Sequence, residues 1–353
     1  MNIKKLAALA LAVCIGAMSL AGCGAKAPQI AASYNGGDIP AGVYITHQIN
    51  AVNDAFTKLN NPYLTPAELL KSEIDGVPAE QWINNRAAEL VKSYAAIEAE
   101  AARLGVSLDA ELASLLEQEV DATWAADGEM MASLGVSAES AKLVAKNNQL
   151  ANVVFEKIYG EGGEKAVSAE ELEQYFVDNY ARSMIVILPL KDMNTGLPLD
   201  EEKAAEVKKL YEGYKAKIAA GSTVFDIYVE ENARQRALAE ITEPAELVES
   251  EREVLVPKND TSYPEKLRET LFATTEYKKP LFYEDENFLV IFDRREAMAD
   301  REGYEEISDS LLMVYKAEEF RNGLGAIADA AGYKLNTDVV KAFTAAKILE
   351  INY

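Results

Sequence analysis

EELEQYFVDNYARSMIVILPL, Glu170–Leu190, is the stretch on which the reading of this chain turns. Its first half is helical: Ser168 stands ahead of it with Glu171 three positions on, a capping box, and Leu172, Tyr175, Phe176 and Tyr180 recur at helical spacing. Its second half is not. Met184-Ile185-Val186-Ile187-Leu188 is a short apolar run stopped by Pro189, the pattern of a strand covered by protein. The change of period places a boundary near residues 165–180, with a helical region before it and a mixed one after.

Upstream, the punctuation is helical. Ile83, Ala87, Leu90, Tyr94, Ile97, Ala101 and Leu104 follow steps of four and three, and Gly105 closes the run. After Ser107, Leu108, Leu112, Leu116, Val120 and Trp124 repeat every four residues, and after Ser137 a third helix carries Leu143, Leu150, Val154 and Ile158. Earlier still, Ala32-Ser33-Tyr34-Asn35-Gly36-Gly37-Asp38-Ile39-Pro40 reads as a strand, a tight turn and the start of a helix holding Val43, Ile45, Ile49, Val52 and Phe56. Downstream, a loop spans Lys191 to Pro198, and a charged helix from Asp200 to Ala220 turns Val207, Leu210, Tyr214 and Ile218 inward. Phe225, Ile227 and Tyr228 begin another short element. A helix then carries Leu267, Leu271 and Phe272, two strands flank the turn Glu284-Asp285-Glu286-Asn287, and a last long helix runs from Tyr304 to Gly325.

The chain opens with an export signal. Lys4 and Lys5 precede an apolar stretch from Leu6 to Leu20, short for a spanning helix, and small residues lead into Leu20-Ala21-Gly22-Cys23. This resembles a bacterial lipoprotein signal. The resemblance implies that residues 1–22 are removed, that the Cys23 thiol is acylated, and that the protein is anchored at the extracytoplasmic face of the cell membrane, with 23–31 as a tether. Cys14 leaves with the signal, so no thiol remains for a disulfide, and stability must come from hydrophobic cores. The chain holds 35 Lys and Arg against 58 Asp and Glu; without Lys4 and Lys5 the balance is 33 against 58, a net charge of −25. Such a surface repels phosphate backbones and anionic headgroups, which argues against nucleic acid as a partner and leaves the acyl chains to hold the membrane.

Residues 32–40 resemble the opening of the PrsA and SurA-like extracytoplasmic foldases. Glu170–Leu190 resembles the entry helix and first strand of their parvulin-type peptidyl-prolyl isomerase domain. YPEKLRETLFATTEYKKPLFYEDENFLVIFDRRE, Tyr263–Glu296, resembles its last helix and closing hairpin, and GYKLNTDVVKAF, Gly332–Phe343, the tail that completes the chaperone module. The resemblance implies an α+β chain: a mostly helical SurA-N-like chaperone domain over 32–180, an inserted parvulin-like α/β domain over 181–300, and a C-terminal helical segment over 301–353 packing on the chaperone domain. It implies a membrane-anchored chaperone that binds unfolded or newly secreted polypeptides, needs no cofactor and is compatible with a homodimer. A solute-binding lipoprotein serving a transporter would share the anchor, but its two lobes of alternating strand and helix are not what 40–180 shows.

The chemistry departs from that family. Active parvulins carry one histidine in the first strand and one in the closing strand, with an acidic residue or cysteine between them. Here Ser183 or Met184 fills the first place and Phe288–Phe292 has none, while the single histidine, His47, falls in the first helix of the other region. ESEREVLVPKNDTSYPE, Glu249–Glu265, replaces the family's glycine-rich loop. No residue is assigned a catalytic role, and isomerase activity is expected to be weak or absent. There is no G-x-S-x-G elbow, P-loop or H-E-x-x-H, and the acidic runs Asp200-Glu201-Glu202 and Glu249–Glu253 lack the spacing of a calcium loop, so no metal site is expected. Tyrosine outnumbers the other aromatics, 17 against ten Phe and two Trp, and it can cover apolar surface while its hydroxyl stays wet. In the parvulin-like part, Met184, Phe225, Phe272 and Phe282 are candidates for a proline-peptide groove, each also readable as core.

Overall fold

The structure, a computed structural model, describes residues 29–352 apart from 62, 244 and 245. Cys23 and the expected signal peptide lie outside the described residues. The fold is α+β and mostly helical, as the sequence implied. A hairpin of β1 (Ile30–Tyr34) and β2 (Gly37–Pro40) feeds α1 (Ala41–Leu59). A single turn, α2 (Pro66–Leu69), and a ribbon of β3 (Glu73–Ile74) and β4 (Val77–Pro78) lead into α3 (Ala79–Leu104), α4 (Ala110–Ser133) and α5 (Ala138–Tyr159). Then α6 (Ala169–Asn179), begun by the Ser168 hydroxyl accepting from the Glu171 N–H, runs into β5 (Tyr180–Ser183) and β6 (Ile185–Pro189). The chain continues through α7 (Glu201–Ala219), α8 (Val224–Leu238), β7 (Val254–Pro257), α9 (Glu265–Ala273), β8 (Leu281–Glu284) and β9 (Phe288–Phe292). It ends with α10 (Arg301–Ala330), β10 (Lys334–Leu335), α11 (Thr337–Ala342) and α12 (Ala345–Asn352).

The chain divides into two compact units. The first holds the described residues up to Glu100, Leu108–Leu150 and those from Gly325 onward; the second holds Ala101–Ser107 and Ala151–Leu324. In the first unit, Val43, Tyr44, Ile45 and Val52 of α1 and Ile83, Ala87, Val91 and Tyr94 of α3 share one core with Ile39 of β2 and with Ile348 and Leu349 of α12. The strand order β10-β1-β2 places Ala32 opposite Leu335, so one end of the chain completes the sheet begun by the other. The expected tether is too long by two residues: Ile30 already belongs to β1, and Ala31 is fully buried.

The second unit is built on the antiparallel sheet β6-β9-β8, whose register sets Ile185 opposite Phe292 and Leu281 opposite Phe292 on the other side. Successive side chains point to opposite faces of a strand. Val186, Leu188, Leu289 and Ile291 accordingly pack with Met184 against Tyr211 and Tyr214 of α7 and Val224 and Ile227 of α8. Val290 and Phe292 pack on the other face with Ala181, Val256 and the Leu267 and Leu271 stripe of α9. The central strand β9 is covered on both faces, which explains why Phe288–Phe292 reads as an unbroken apolar run.

Three expectations need correction. The element beginning at Phe225 is a 15-residue helix rather than a short piece. Its buried face includes Glu231, held by the Tyr214 hydroxyl at 2.9 Å and by Arg234 at 2.7 and 2.8 Å, and a charged residue on that face hides the apolar period. The segment read as a replaced loop contains β7, paired to β5 with Ala181 opposite Val256. The expected boundaries at 180 and 300 are not those of the compact units. Phe155 and Tyr159 of α5 meet Phe320 of α10 at ring separations of 5.4 and 6.3 Å, so these turns share a core in the second unit. A cap marks where a helix begins; it carries no information about which core each later turn joins.

Candidate functional site

The four groove candidates do not converge. Met184 is fully buried in the cluster under α7 and α8, and Phe225 packs at its edge. Phe272 lies with α9 on the opposite face of the sheet. Phe282 is exposed on β8, with Tyr211 edge-on at 6.4 Å and the Lys215 ammonium 5.8 Å from its ring. The sheet stands between Phe272 and the others, so the four line no common groove.

Where the resemblance places the first histidine, between β5 and β6, the chain holds a closed network of charge. The Met184 N–H donates to Asp293 Oδ1 at 3.1 Å, and the Ser183 hydroxyl donates to the Asp293 carbonyl at 2.6 Å. Arg295 binds the Asp293 carboxylate in a fork, Nε to Oδ1 and Nη2 to Oδ2, each at 2.9 Å. Its Nη1 reaches Glu249 at 2.6 Å and Glu253 at 2.7 Å. Arg182 Nη2 meets Asp300 at 3.0 Å, and the Arg295 N–H donates to the Arg182 carbonyl at 2.8 Å. Burial alone would lower the Arg295 guanidinium; hydrogen bonds to Asp293 and then Glu249 outweigh it and push it above its ordinary range. Asp293 and Arg295 are only 1% and 3% exposed, so these groups are spent on one another and present nothing to a substrate. The arrangement is a clamp holding the closing strand to the first one.

His47, the single histidine, sits in the core of the first unit. Both ring nitrogens are buried without a hydrogen-bond partner, and the Tyr94 ring stands edge-on at 6.5 Å. Burial, and then the nearby Arg86 guanidinium, lower its pKa to about 4. A neutral imidazole enclosed in this way is a core residue with a titration, not a general base.

An open apolar surface lies elsewhere, on α4. Asp109 caps this helix by accepting from the Leu112 N–H at 2.8 Å. The helix ends at Gly135, φ +95°, with the Val136 N–H returning to the Met131 carbonyl at 3.0 Å, which turns the chain into α5. The stripe Leu108, Leu112, Leu116, Val120 and Trp124 repeats at helical spacing, yet every member is only half-buried, and Leu115 and Met130 beside it are 50% and 44% exposed. The Trp124 indole folds over Gly128, where an added Cβ would lie 2.6 Å from the indole nitrogen. Glycine at that position lets the ring lie flat along the helix. Together, Glu119, Val120, Thr123, Trp124, Asp127, Met130, Met131 and, from α5, Ala141 line a cavity of about 370 Å³. That falls within the usual range of ligand pockets, about 300–1,000 Å³. The sequence signal that could have marked it is the pair Trp124 and Gly128, one helical turn apart, beside Met130-Met131. Among the described residues, no group of three His, Cys, Asp or Glu is placed to hold a metal ion.

The structure is thus an α+β chain of two compact units with an incompletely covered helix face in the first. Among solved structures, the foldase protein PrsA from Streptococcus pneumoniae is similar at 16% identity and a TM-score of 0.36, over 78% of this chain and 99% of that one. The foldase protein PrsA from Lactococcus lactis is similar at 13% identity and a TM-score of 0.35, over 90% of this chain and 100% of that one. At such scores the likeness assigns neither fold details nor activity. No protein-family model and no curated protein matches the chain.

Proposed function

We propose that this protein is a membrane-anchored extracytoplasmic chaperone, tethered through lipid at Cys23, that binds unfolded exported polypeptides and has weak or no prolyl isomerase activity. The observation that carries the reading is the α4 groove: Val120, Trp124, Met130 and Met131 form an apolar strip left partly open to solvent. Methionine and tryptophan suit this use, because a flexible thioether and a flat ring adapt to many apolar side chains without a fixed shape. A surrounding surface of net −25 keeps the carrier itself soluble while it holds apolar segments. The clamp at Asp293 and Arg295 supports the second half of the reading, since the buried Asp293 carboxylate is taken up by the Arg295 fork and the Met184 N–H.

Suppression of light scattering from an unfolded client by the mature chain tests this. The wild type suppresses it, and Met130→Glu, a change at an exposed position that the fold tolerates, weakens the suppression several-fold. The same protein leaves the proline-limited refolding rate of a substrate unchanged. Failure to suppress aggregation together with failure to bind unstructured peptides discards the proposal.

A further inference from the structure

The charges around the α4 groove are unevenly satisfied. The helix carries Glu111, Glu117, Glu119, Asp121, Asp127 and Glu129 and no Lys or Arg. On its α5 side, Lys142 binds Asp121 at 2.6 Å and Lys146 binds Glu117, so that edge is neutralised. On the groove side, Glu119 and Asp127 flank Thr123 at i and i+8, both exposed, and neither side chain has a hydrogen-bonding or ionic partner among the described residues. Apolar side chains lie between two free carboxylates.

We infer that the groove selects apolar polypeptide segments flanked by lysine or arginine. This rests on the proposed chaperone reading and names the client chemistry for that same groove. The spacing follows from helix geometry. Eight residues at about 1.5 Å each put Glu119 and Asp127 about 12 Å apart along α4. An extended peptide rises about 3.3 Å per residue, so four residues cover about 13 Å. The matched segment is therefore basic-x-apolar-x-basic, with the central side chain against Val120 and Trp124 and a cation over each carboxylate. An acidic segment of the same shape would set like charges together in both places.

The test uses the mature chain carrying Trp82→Phe, so that Trp124 is its single tryptophan and reports on the groove, with calorimetry of the wild type as a second readout. Three unstructured peptides are titrated that differ only at the two flanking positions: lysine, glutamine or glutamate around a central leucine. Lysine binds about tenfold tighter than glutamate with glutamine between them, as two solvent-exposed charge contacts allow. The advantage shrinks severalfold between about 0.05 and 0.5 M salt, because the screening length falls below about 10 Å. Glu119→Gln with Asp127→Asn removes it. Glu202→Gln with Glu206→Gln on α7 changes the net charge equally and leaves it intact, which separates the groove from the general field. Equal binding of the three peptides overturns this inference while the chaperone reading stands; binding of none overturns both; an equal response to the α7 pair assigns the preference to overall charge and overturns the inference alone.

Discussion

Acid should loosen the first unit through one side chain. His47 is buried with both nitrogens unpartnered and a pKa of about 4, against about 6.5 in an unfolded chain. Between those values the unfolded state binds the proton more readily, so stability rises with pH across the window and is lost as pH falls from about 6.5 toward 4. The gap of about 2.5 pH units, at about 1.4 kcal/mol each, gives about 3 kcal/mol in full, of which about 2 kcal/mol is gone by pH 5. His47→Phe keeps a planar ring edge-on to Tyr94 and removes the titration. Trp82 and Trp124, the two tryptophans of the chain, both lie in the first unit, so fluorescence during denaturant unfolding reports on that unit alone. Carboxylates common to both proteins cancel in the comparison. The stability of the wild type relative to His47→Phe should therefore fall by about 2 kcal/mol between pH 7.5 and 5. Parallel stability curves for the two proteins across that range would refute the assignment.

Arg295→Met leaves Asp293 buried without its cation, and the second unit should lose about 3–5 kcal/mol, seen by far-UV circular dichroism with the tryptophan signal unmoved. Adding Asp293→Asn to that variant recovers part of the loss, since one uncompensated charge is then gone. Gly135→Ala places a side chain at φ +95° with its Cβ 3.0 Å from Ile45 Cδ1, and should cost the first unit at least about 1 kcal/mol in the same fluorescence assay. Gly128→Ala displaces the Trp124 indole, so the emission maximum shifts and peptide binding weakens, while the melting temperature changes by only a few degrees.

Helices were legible where one apolar stripe met one core: Ile83, Ala87 and Tyr94 of α3 are all buried in the same cluster, as their spacing indicated. The stripe on α4 has the same period and a different fate, because periodicity shows that a face is apolar but not what covers it. The hairpin of β8 and β9 announced itself through its acidic turn, whereas β7, with only Val254, Leu255 and Val256 between charged neighbours, was too short to carry a pattern. Arg182, Glu249, Glu253, Asp293 and Arg295 are scattered along the chain, and only the pairing of β5 with β7 and the return of β9 bring them together. The absence of histidine from Arg182–Glu296 could be read from the sequence; the clamp of Asp293 and Arg295 could not.

The union of β1 with β10 dictates an order of assembly. A chain made or threaded from its N-terminus releases Ile30–Tyr34 about 300 residues before Lys334, where the strand that pairs with it begins. The β6-β9-β8 sheet can close while the last stretch is still being synthesised, but β1 waits with one edge bare for almost the whole length of the polypeptide. Long-range pairing of this kind is slow, and a bare edge is a template for other strands. Lys334–Leu335 thus acts as the latch of Ile30–Tyr34, and a product truncated ahead of Lys334 is left with that strand unlocked.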